Sequence, residues 1–492
     1  MSSLSILTLA PLLLFAFIAT LVGLWRLTWA YLAAVLGMVI ALAVAGAGIF
    51  RVLREGELRH YLGGWPPPFG IEYVLDHLSA FMVMIIVFIG LIAVIYPPKA
   101  GLYLLPRKGV PVYGLLLLLI AGLVGVVVTG DLFNLFVFLE VYSLASYALI
   151  TLGGDRATVA SFRYLILGTI AGGLYLLGVG FIYFSTGTLN MADAAQLLPP
   201  LYGSPTIMAA VALILIGMGI KMALFPLHVW LPDAHSYAPP VIAAILAAIQ
   251  IEVAAYVLVR MLLTVFQPQY FIEVLPVTTV IGWVAAAGII FGSVMAIAQK
   301  DFKRMLAYST VAQVSYIGLG IGLANPLGLI GGLLHILNHA FMKSCLFLIA
   351  GGIRYQTGLH AISKFAGLGR KMPLMMAAFT VAALSMVGIP PTCGFFSKWY
   401  LILGSIDANN WVFVAVILAS SLLTAGYFFR LVEKIFAVPS SGEAAVEQAT
   451  EPSARILVPI LVLAVGIIVL GLINAFIVTQ VLQPVVAPLL FN

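Results

Sequence analysis

The chain has 492 residues, of which 63% are hydrophobic and only 8% charged, and its mean hydropathy is +1.17. A water-soluble domain of this composition would expose large apolar patches, so the chain reads as a polytopic membrane protein with the lipid bilayer as its first partner. The formal charge of +6 comes from basic residues dispersed through loops, which excludes the concentrated patch that nucleic acid needs, and no nucleic acid partner is expected.

A helix that crosses hydrocarbon needs about 20 apolar residues. Fourteen runs qualify: 4–24, 29–50, 74–96, 109–129, 131–153, 161–185, 205–225, 237–265, 275–298, 305–323, 326–352, 372–395, 408–432 and 455–480. The first lacks a basic start and a small-residue cleavage site, so it is expected to be a retained helix, with the mature chain starting near Met1. After the second, LRHYLGGWPPPFGIEYVLD combines glycine, proline and aromatics, which suits a compact segment packed on the outer surface against helix ends. It is assigned no chemistry. Two later spans are interrupted by LFPLHVWLPDAHSYAPP and VGIPPTCGFFSKW, where prolines remove backbone donors and break the helix. Each break adjoins a lysine: Lys221 precedes Pro226, and Lys398 follows Pro390 and Pro391.

Irregular backbone at membrane depth is tolerated where it is packed in protein or lines a wet cavity, and paired broken helices point to transporter sites. Two related halves are therefore expected, 109–265 and 275–432. They are flanked by N-terminal helices with the outer-surface segment (1–108) and by a cytoplasmic loop with a C-terminal helix (433–492), and SSGEAAVEQATEPS reads as a solvated part of that loop. Five spans per half is an odd number, so the halves insert with opposite orientations. The expected fold is all-α, with about 14 transmembrane helices and two inverted five-helix repeats, each containing a broken helix.

Lys and Arg placement supports the count. Loops after odd-numbered spans hold sixteen of them: Arg26; Lys99, Arg107 and Lys108; Arg156 and Arg163; Lys300, Lys303 and Arg304; Arg354, Lys364, Arg370 and Lys371; Arg430, Lys434 and Arg455. Loops after even-numbered spans hold only Arg51, Arg54 and Arg59. Positive loops stay cytoplasmic, which puts both termini outside, in the cell membrane of a prokaryote. Cys345 and Cys393 both fall inside apolar spans, read as small buried hydrophobes and support neither a disulfide framework nor a thiolate metal site.

Four ionisable residues sit in otherwise apolar stretches: Glu140, Lys221, Glu252 and Lys398. Each costs roughly 2.5–3.5 kcal/mol at the hydrocarbon centre, so function or pairing has to explain them. Glu140 shares a face with Ser143 and Tyr147, whose hydroxyls can hydrogen-bond it; a structural ion pair is the alternative. Lys221 stands at a helix break beside Gly217 and Gly219, with snorkelling to the surface as its alternative. Desolvation disfavours a charged lysine and a carboxylate favours it, so changing the distance to Glu140 switches Lys221 between holding and releasing a proton.

Glu252 has Tyr256 and Arg260 on its own face, Arg260 about 12 Å along the axis and so out of direct reach. Gln250 lies about 200° round the helix from Glu252, so only one of the two faces a given cavity. His335, His339 and Lys343 form a stripe of three titratable groups on one helix face. Histidines at i and i+4 can share a metal ion, but the Glu of H-E-x-x-H is missing and no third ligand is apparent, so a proton relay or structural hydrogen bonding suits them better. His228, Asp233 and His235 lie in the first break, where a cavity entrance or a turn cap is expected. No Ser-His-Asp, Walker A or dinucleotide signal appears, so the chain is expected to hold no cofactor or metal ion of its own, and any redox chemistry belongs to another subunit.

TGDLFNLFVFLEVYSLASYALITLGG, KMALFPLHVWLPDAHSYAPP, KRMLAYSTVAQVSYIGLG, HILNHAFMKSCLFLIAGG and SMVGIPPTCGFFSKW, across roughly 70–430, resemble the antiporter-like subunits shared by Mrp-type cation/proton antiporters, complex I and membrane-bound hydrogenases. The DLFNLFVFLEV block most resembles the D-type subunit of the Mrp antiporters. The resemblance implies fourteen helices, two inverted repeats and a row of buried charges along the membrane midplane. By it, Glu140 and Lys221 are the ion-pair partners of the first half, Lys398 is the terminal lysine of the second, and His335 and His339 belong to the connecting axis. One position departs: relatives usually read K-x-G-x-Y-x-L-x-R in the bridging helix, and this chain reads EVAAYVLVR, with Glu252 for lysine and Ala254 for glycine. The expected function is translocation of H⁺, with Na⁺ as a second candidate ion, alongside other membrane subunits of a hetero-oligomeric complex. An Mrp-type antiporter is expected first, the pumping arm of a redox complex second and a structural subunit third. The expected relay is Glu140, Lys221, Glu252, His335, His339 and Lys398.

Overall fold

Apolar runs in hydrocarbon leave backbone amides no partners except one another, and helices result. The computed structural model describes residues 4–101, 111–439 and 443–490. Arg107 and Lys108, the first two residues of the predicted span 109–129 and residues 440–442 of the predicted solvated loop lie outside the described residues. The helices that cross or half-cross the membrane are, in chain order, α1 Leu4–Gly23, α2 Leu27–Glu55, α3 His77–Ile95, α4 Val112–Val128, α5 Leu132–Thr151, α6 Asp155–Thr186, α7 Pro205–Met222, α8 Leu231–Tyr237, α9 Pro240–Val265, α10 Val277–Ile297, α11 Phe302–Leu323, α12 Pro326–Thr357, α13 Pro373–Val387, α14 Cys393–Asp407, α15 Trp411–Phe436 and α16 Ala454–Leu472. Among the described residues, twelve are long and apolar enough to span a bilayer; the shorter α4 and α13 fill the remaining two predicted places. The chain is a multi-pass, all-α membrane protein.

The two repeats are visible in matching details. Asp131 caps α5 by accepting the Asn134 amide at 2.7 Å, and Asp301 caps α11 by accepting the Arg304 amide at 2.9 Å. Each capping residue also bridges a short segment further along, Asp131 to Asn190 and Asp301 to Ala361. The intervening helices α6 and α12 are both 32 residues long and both end on a left-handed glycine, Gly187 and Gly358. The closing helices α9 and α15 are both 26 residues long.

The two breaks match as well. α7 ends at Ala223 (φ 57) and α13 at Gly388 (φ 93). In each, the next amide reaches five residues back, Leu224 to the Gly219 carbonyl at 2.9 Å and Ile389 to the Leu384 carbonyl at 3.1 Å. The chain then turns through the cis bonds Phe225–Pro226 and Pro390–Pro391. α9 and α12 are buried throughout their apolar windows, whereas the windows of α1, α2, α15 and α16 are only 28–39% buried.

The segment after α2 is a two-stranded antiparallel hairpin, β1 Leu58–Tyr61 with β2 Glu72–Leu75, which bridges from Tyr73 to Thr129 just before α5. The stretch read as a solvated loop is tied down instead. Ala444–Glu447 forms a helical turn, Lys364 pairs with Glu443 at 2.9 Å, and the Glu451 carboxylate accepts the Leu374 and Met375 amides at 2.9 and 3.0 Å. A carboxylate at a helix start, here that of α13, satisfies donors the helix leaves free.

Candidate ion-translocation site

In the first half, α5 and α7 bring Glu140 and Lys221 together. The Lys221 ammonium is fully buried, 3.8 Å from Glu140 Oε1, and donates to Ser143 Oγ at 2.6 Å. It also stands over the Tyr142 ring at 5.6 Å. Snorkelling does not occur. The Glu140 side chain is 26% exposed, on a flank that also exposes Phe133, Val137 and Leu144, while its Oε1 toward Lys221 is buried.

The next buried contact lies between helices far apart in sequence. Glu252 on α9 and His339 on α12 meet at 2.6 Å, both with no exposed side-chain surface. Glu252 Oε2 and His339 Nε2 have no hydrogen-bonding partner among the described residues, so the pair has one free position at each end. Tyr256 and Arg260 take other partners, and Arg260 is out of direct reach of Glu252 as expected. Arg260 forms a bidentate pair with Asp76 at 2.6 and 2.9 Å, and the Tyr256 hydroxyl donates to the Val127 carbonyl at 2.6 Å. Gln250 takes the other side and binds the Tyr164 hydroxyl. A π-helical turn, Leu246–Gln250, sits immediately before Glu252; such turns are frequent at functional positions.

From His339 the row continues along α12. Its ring lies 6.0 Å from that of His335, nearly parallel, and His335 Nδ1 shares a 2.9 Å hydrogen bond with Ser397 Oγ. Lys398 is the next residue. Its ammonium donates to the Met386 and Val387 carbonyls at 2.9 and 3.0 Å and to Ser421 Oγ at 3.1 Å, and it stands 5.1 Å over the Tyr316 ring. Those carbonyls end α13, so the lysine sits at the negative end of that helix. The stripe partner Lys343 turns away to the Leu306 carbonyl at 2.9 Å and to Ser309.

The structure thus joins Glu140 with Lys221, Glu252 with His339, and His335 with Ser397 beside Lys398. No hydrogen bond links Lys221 to Glu252 among the described residues. In the first break, Asp233 is an ion-pair staple, 3.1 Å from Arg163 and 3.3 Å from Arg304. His235 is buried beside Trp230 and Phe347, and His228 packs against Phe225 and Phe291. Sequence reading passed over Ser397, Ser421, Tyr316 and Trp230. Ser397 directly precedes a singled-out lysine, which was the available signal; the others are ordinary helix residues until the helices pack.

A transmembrane family described as NADH:quinone oxidoreductase/Mrp antiporter matches residues 129–424, more than half of the chain. The chain belongs to this family. It is 53% identical over 465 residues to NADH-quinone oxidoreductase subunit N of Desulforudis audaxviator, covering 91% of this chain and 92% of that one. It is 34% identical over 441 residues to the D-type Na(+)/H(+) antiporter subunit of Alkalihalophilus pseudofirmus, covering 89% and 87%. Among solved structures, a chain of the membrane-bound sulfane sulfur reductase, an archaeal respiratory membrane complex, superposes with a TM-score of 0.89 at 30% identity over 98% of this chain and 97% of that one. A chain of the Mrp complex from Dietzia sp. superposes with a TM-score of 0.88 at 27% identity over 99% and 97%. This antiporter-like subunit accordingly resembles members of several multi-subunit membrane complexes. The expectation that the chain is first of all an Mrp-type D subunit is not confirmed by these identities.

Proposed function

We propose that the chain is the proton-translocating arm of a redox-driven membrane complex, with Glu140, Lys221, Glu252, His339, His335 and Lys398 as its relay. The observation that carries this reading is the buried row itself: an acid–lysine pair at one break, a carboxylate–imidazole pair between the central helices, and a lysine at the other break. A carboxylate 3.8 Å from a buried ammonium stabilises its charge. Moving Glu140 away removes that stabilisation, and the proton passes through Glu252, His339 and His335 to Lys398. One charge crossing 100 mV involves about 2.3 kcal/mol, an energy within reach of moving one buried ion pair. The reversed charge at position 252 gives a carboxylate relay in place of a lysine one.

The redox-driven reading is supported by the 53% identity to a quinone oxidoreductase subunit, against 34% to an antiporter subunit. A second reading, an Mrp-type subunit exchanging Na⁺ for H⁺, is supported by the Mrp superposition and the DLFNLFVFLEV block. The Glu140 side chain, partly exposed on an apolar flank, favours a neighbouring membrane subunit against α5, because an acidic side chain bordering lipid is costly. The relay-bearing halves are 109–265 and 275–432, with 1–108 and 433–492 packed outside them, and both termini face outside the cell membrane.

The test uses inverted vesicles with a pH-sensitive dye. Lys221→Ala and Glu140→Ala should each reduce transport more than tenfold while the complex assembles, and normal transport in both ends the proposal. Bound Fe–S clusters or flavin in the purified complex support the redox-driven reading; co-purifying small antiporter subunits support the other.

A further inference from the structure

At the far end of α5 from the hairpin, a cavity of about 680 Å³ opens between the α5–α6 turn, α8, the α10–α11 turn and the end of α12. Loops that follow three separate spans converge on it. Arg156 enters from the first, Lys300, Lys303 and Arg304 from the second and Arg354 from the third. Two carboxylates, Asp155 and Asp301, line it as well. Asp301 is engaged in capping α11, and Arg304 leans 3.3 Å from Asp233. Lys303 is held in the wall, 5% exposed, with its ammonium on the Ala238 carbonyl. Five basic side chains against Asp155, Asp301 and the Asp233 that pairs with Arg304 still leave a positive excess inside a concavity, where low-dielectric walls focus the field. Loops that serve orientation alone have no need to bring their cations to one hollow.

We propose that this cavity binds the phosphate-bearing headgroup of an anionic phospholipid. The spanning helices α5, α6, α9, α11 and α12 begin or end around it, so it opens at headgroup depth, and basic pockets between helices at that depth take such headgroups. The space far exceeds one inorganic phosphate, and Gly153, Tyr237 and Ala361 offer the glycerol portion an apolar wall. The occupant joins the two repeats, since Arg156 and Tyr237 belong to the first and Lys300, Lys303 and Arg354 to the second. Lys303 on Ala238 and Arg304 on Asp233 are links the protein itself makes across that seam.

The complete complex, stripped of lipid and reconstituted in nanodiscs of phosphatidylcholine with graded phosphatidylglycerol, tests this by native mass spectrometry of the lipid retained on the subunit. The wild type should retain phosphatidylglycerol with a preference on the order of tenfold. The double variant R156Q/K300Q should assemble and lose that preference. The control K364Q/K371Q, which removes two cations from a basic loop outside the cavity, should keep it. An unchanged preference in R156Q/K300Q overturns the proposal, and equal loss in the control does so too, because the effect is then general surface charge. Displacement of the lipid by millimolar inorganic phosphate also overturns it, in favour of a free-phosphate site.

Discussion

The two helix breaks share one backbone design and fill it differently. Trp230 and Lys398 each stand twenty-five positions past the first residue of their broken helix, Pro205 and Pro373. Each donates to carbonyls at the break, Trp230 Nε1 to Ile220 at 2.8 Å, which also accepts the Ala223 amide at 3.0 Å, and Lys398 Nζ to Met386 and Val387. A broken helix leaves such carbonyls without their regular helical partners, and something else must donate to them. One half uses a neutral indole and keeps its lysine on the helix before the break, where Glu140 supplies the opposite charge. The other half uses the lysine itself as the donor. The closing helices differ in the same sense: position 252 on α9 is a glutamate, and the same place counted from the start of α15 is Leu423. A repeat can therefore conserve the break while relocating the charge.

The largest effect should come from separating donor from charge. Lys398→Gln retains a donor for the α13 carbonyls and removes the ammonium, so the protein should fold with transport reduced more than tenfold in the vesicle assay. If transport survives, Lys398 is a cap like Trp230, and the halves differ only in which donor they use.

Glu252 gives the next effect. Its place opposite His339 is set for an acid, so Glu252→Lys, which restores the residue usual among relatives, should oppose a cation to an imidazole inside a dry contact. Transport should fall roughly tenfold, and the His339 ring resonances should shift in NMR spectra. Glu252→Gln keeps one hydrogen bond without the charge, so it should retain folding and lose transport to a similar degree. Wild-type transport in the lysine variant would falsify the carboxylate relay.

Much of this was legible from residue order. Apolar runs gave the spans because about 20 residues must cover the hydrocarbon, and prolines beside Lys221 and Lys398 marked both breaks because proline removes a donor. Glu140 and Lys221 could be paired in advance, because the family resemblance implied it and a carboxylate stabilises a buried ammonium. The pairing of Glu252 with His339 was not legible. The two lie 87 residues apart on different helices, and helical periodicity reports the face of a residue without naming what packs against it. Helix geometry excluded Arg260 as the partner of Glu252, but nothing in the sequence pointed to Asp76, the cap of α3. The hairpin escaped for a related reason: its strands are four residues each, too short for an alternation pattern to stand out among prolines and glycines.

Trp230→Phe sharpens the comparison more modestly. It keeps the ring stacked on Tyr164 at 3.9 Å and removes the N–H, leaving the Ile220 carbonyl with the Ala223 amide at 3.0 Å. Losing one buried hydrogen bond costs about 1 kcal/mol, so thermal unfolding in detergent should move down by a few degrees, with transport per folded complex unchanged. A transport loss matching that of Lys398→Gln would mean that the first break carries charge movement too.

The smallest expected effect separates the two breaks at their turning residues. Ala223 adopts φ 57 and Gly388 φ 93, conformations that a side chain disfavours by about 1–2 kcal/mol and glycine accepts freely. Ala223→Gly should relieve that strain, offset in part by the extra freedom glycine gives the unfolded chain. The net gain should be under about 1 kcal/mol, and transport should not change, because no charged group touches this position. Gly388→Ala reverses the sign and adds a contact. The new Cβ would lie 3.1 Å from Lys398 Cδ and 3.7 Å from its Nζ, so the lysine must shift, weakening its bonds to the Met386 and Val387 carbonyls. Stability should fall by about 1 kcal/mol or slightly more, and transport should fall with it. Thermal unfolding and vesicle transport measured on the two variants together decide the matter: equal effects on transport would mean that the donor at the second break is no more closely tied to ion movement than the donor at the first.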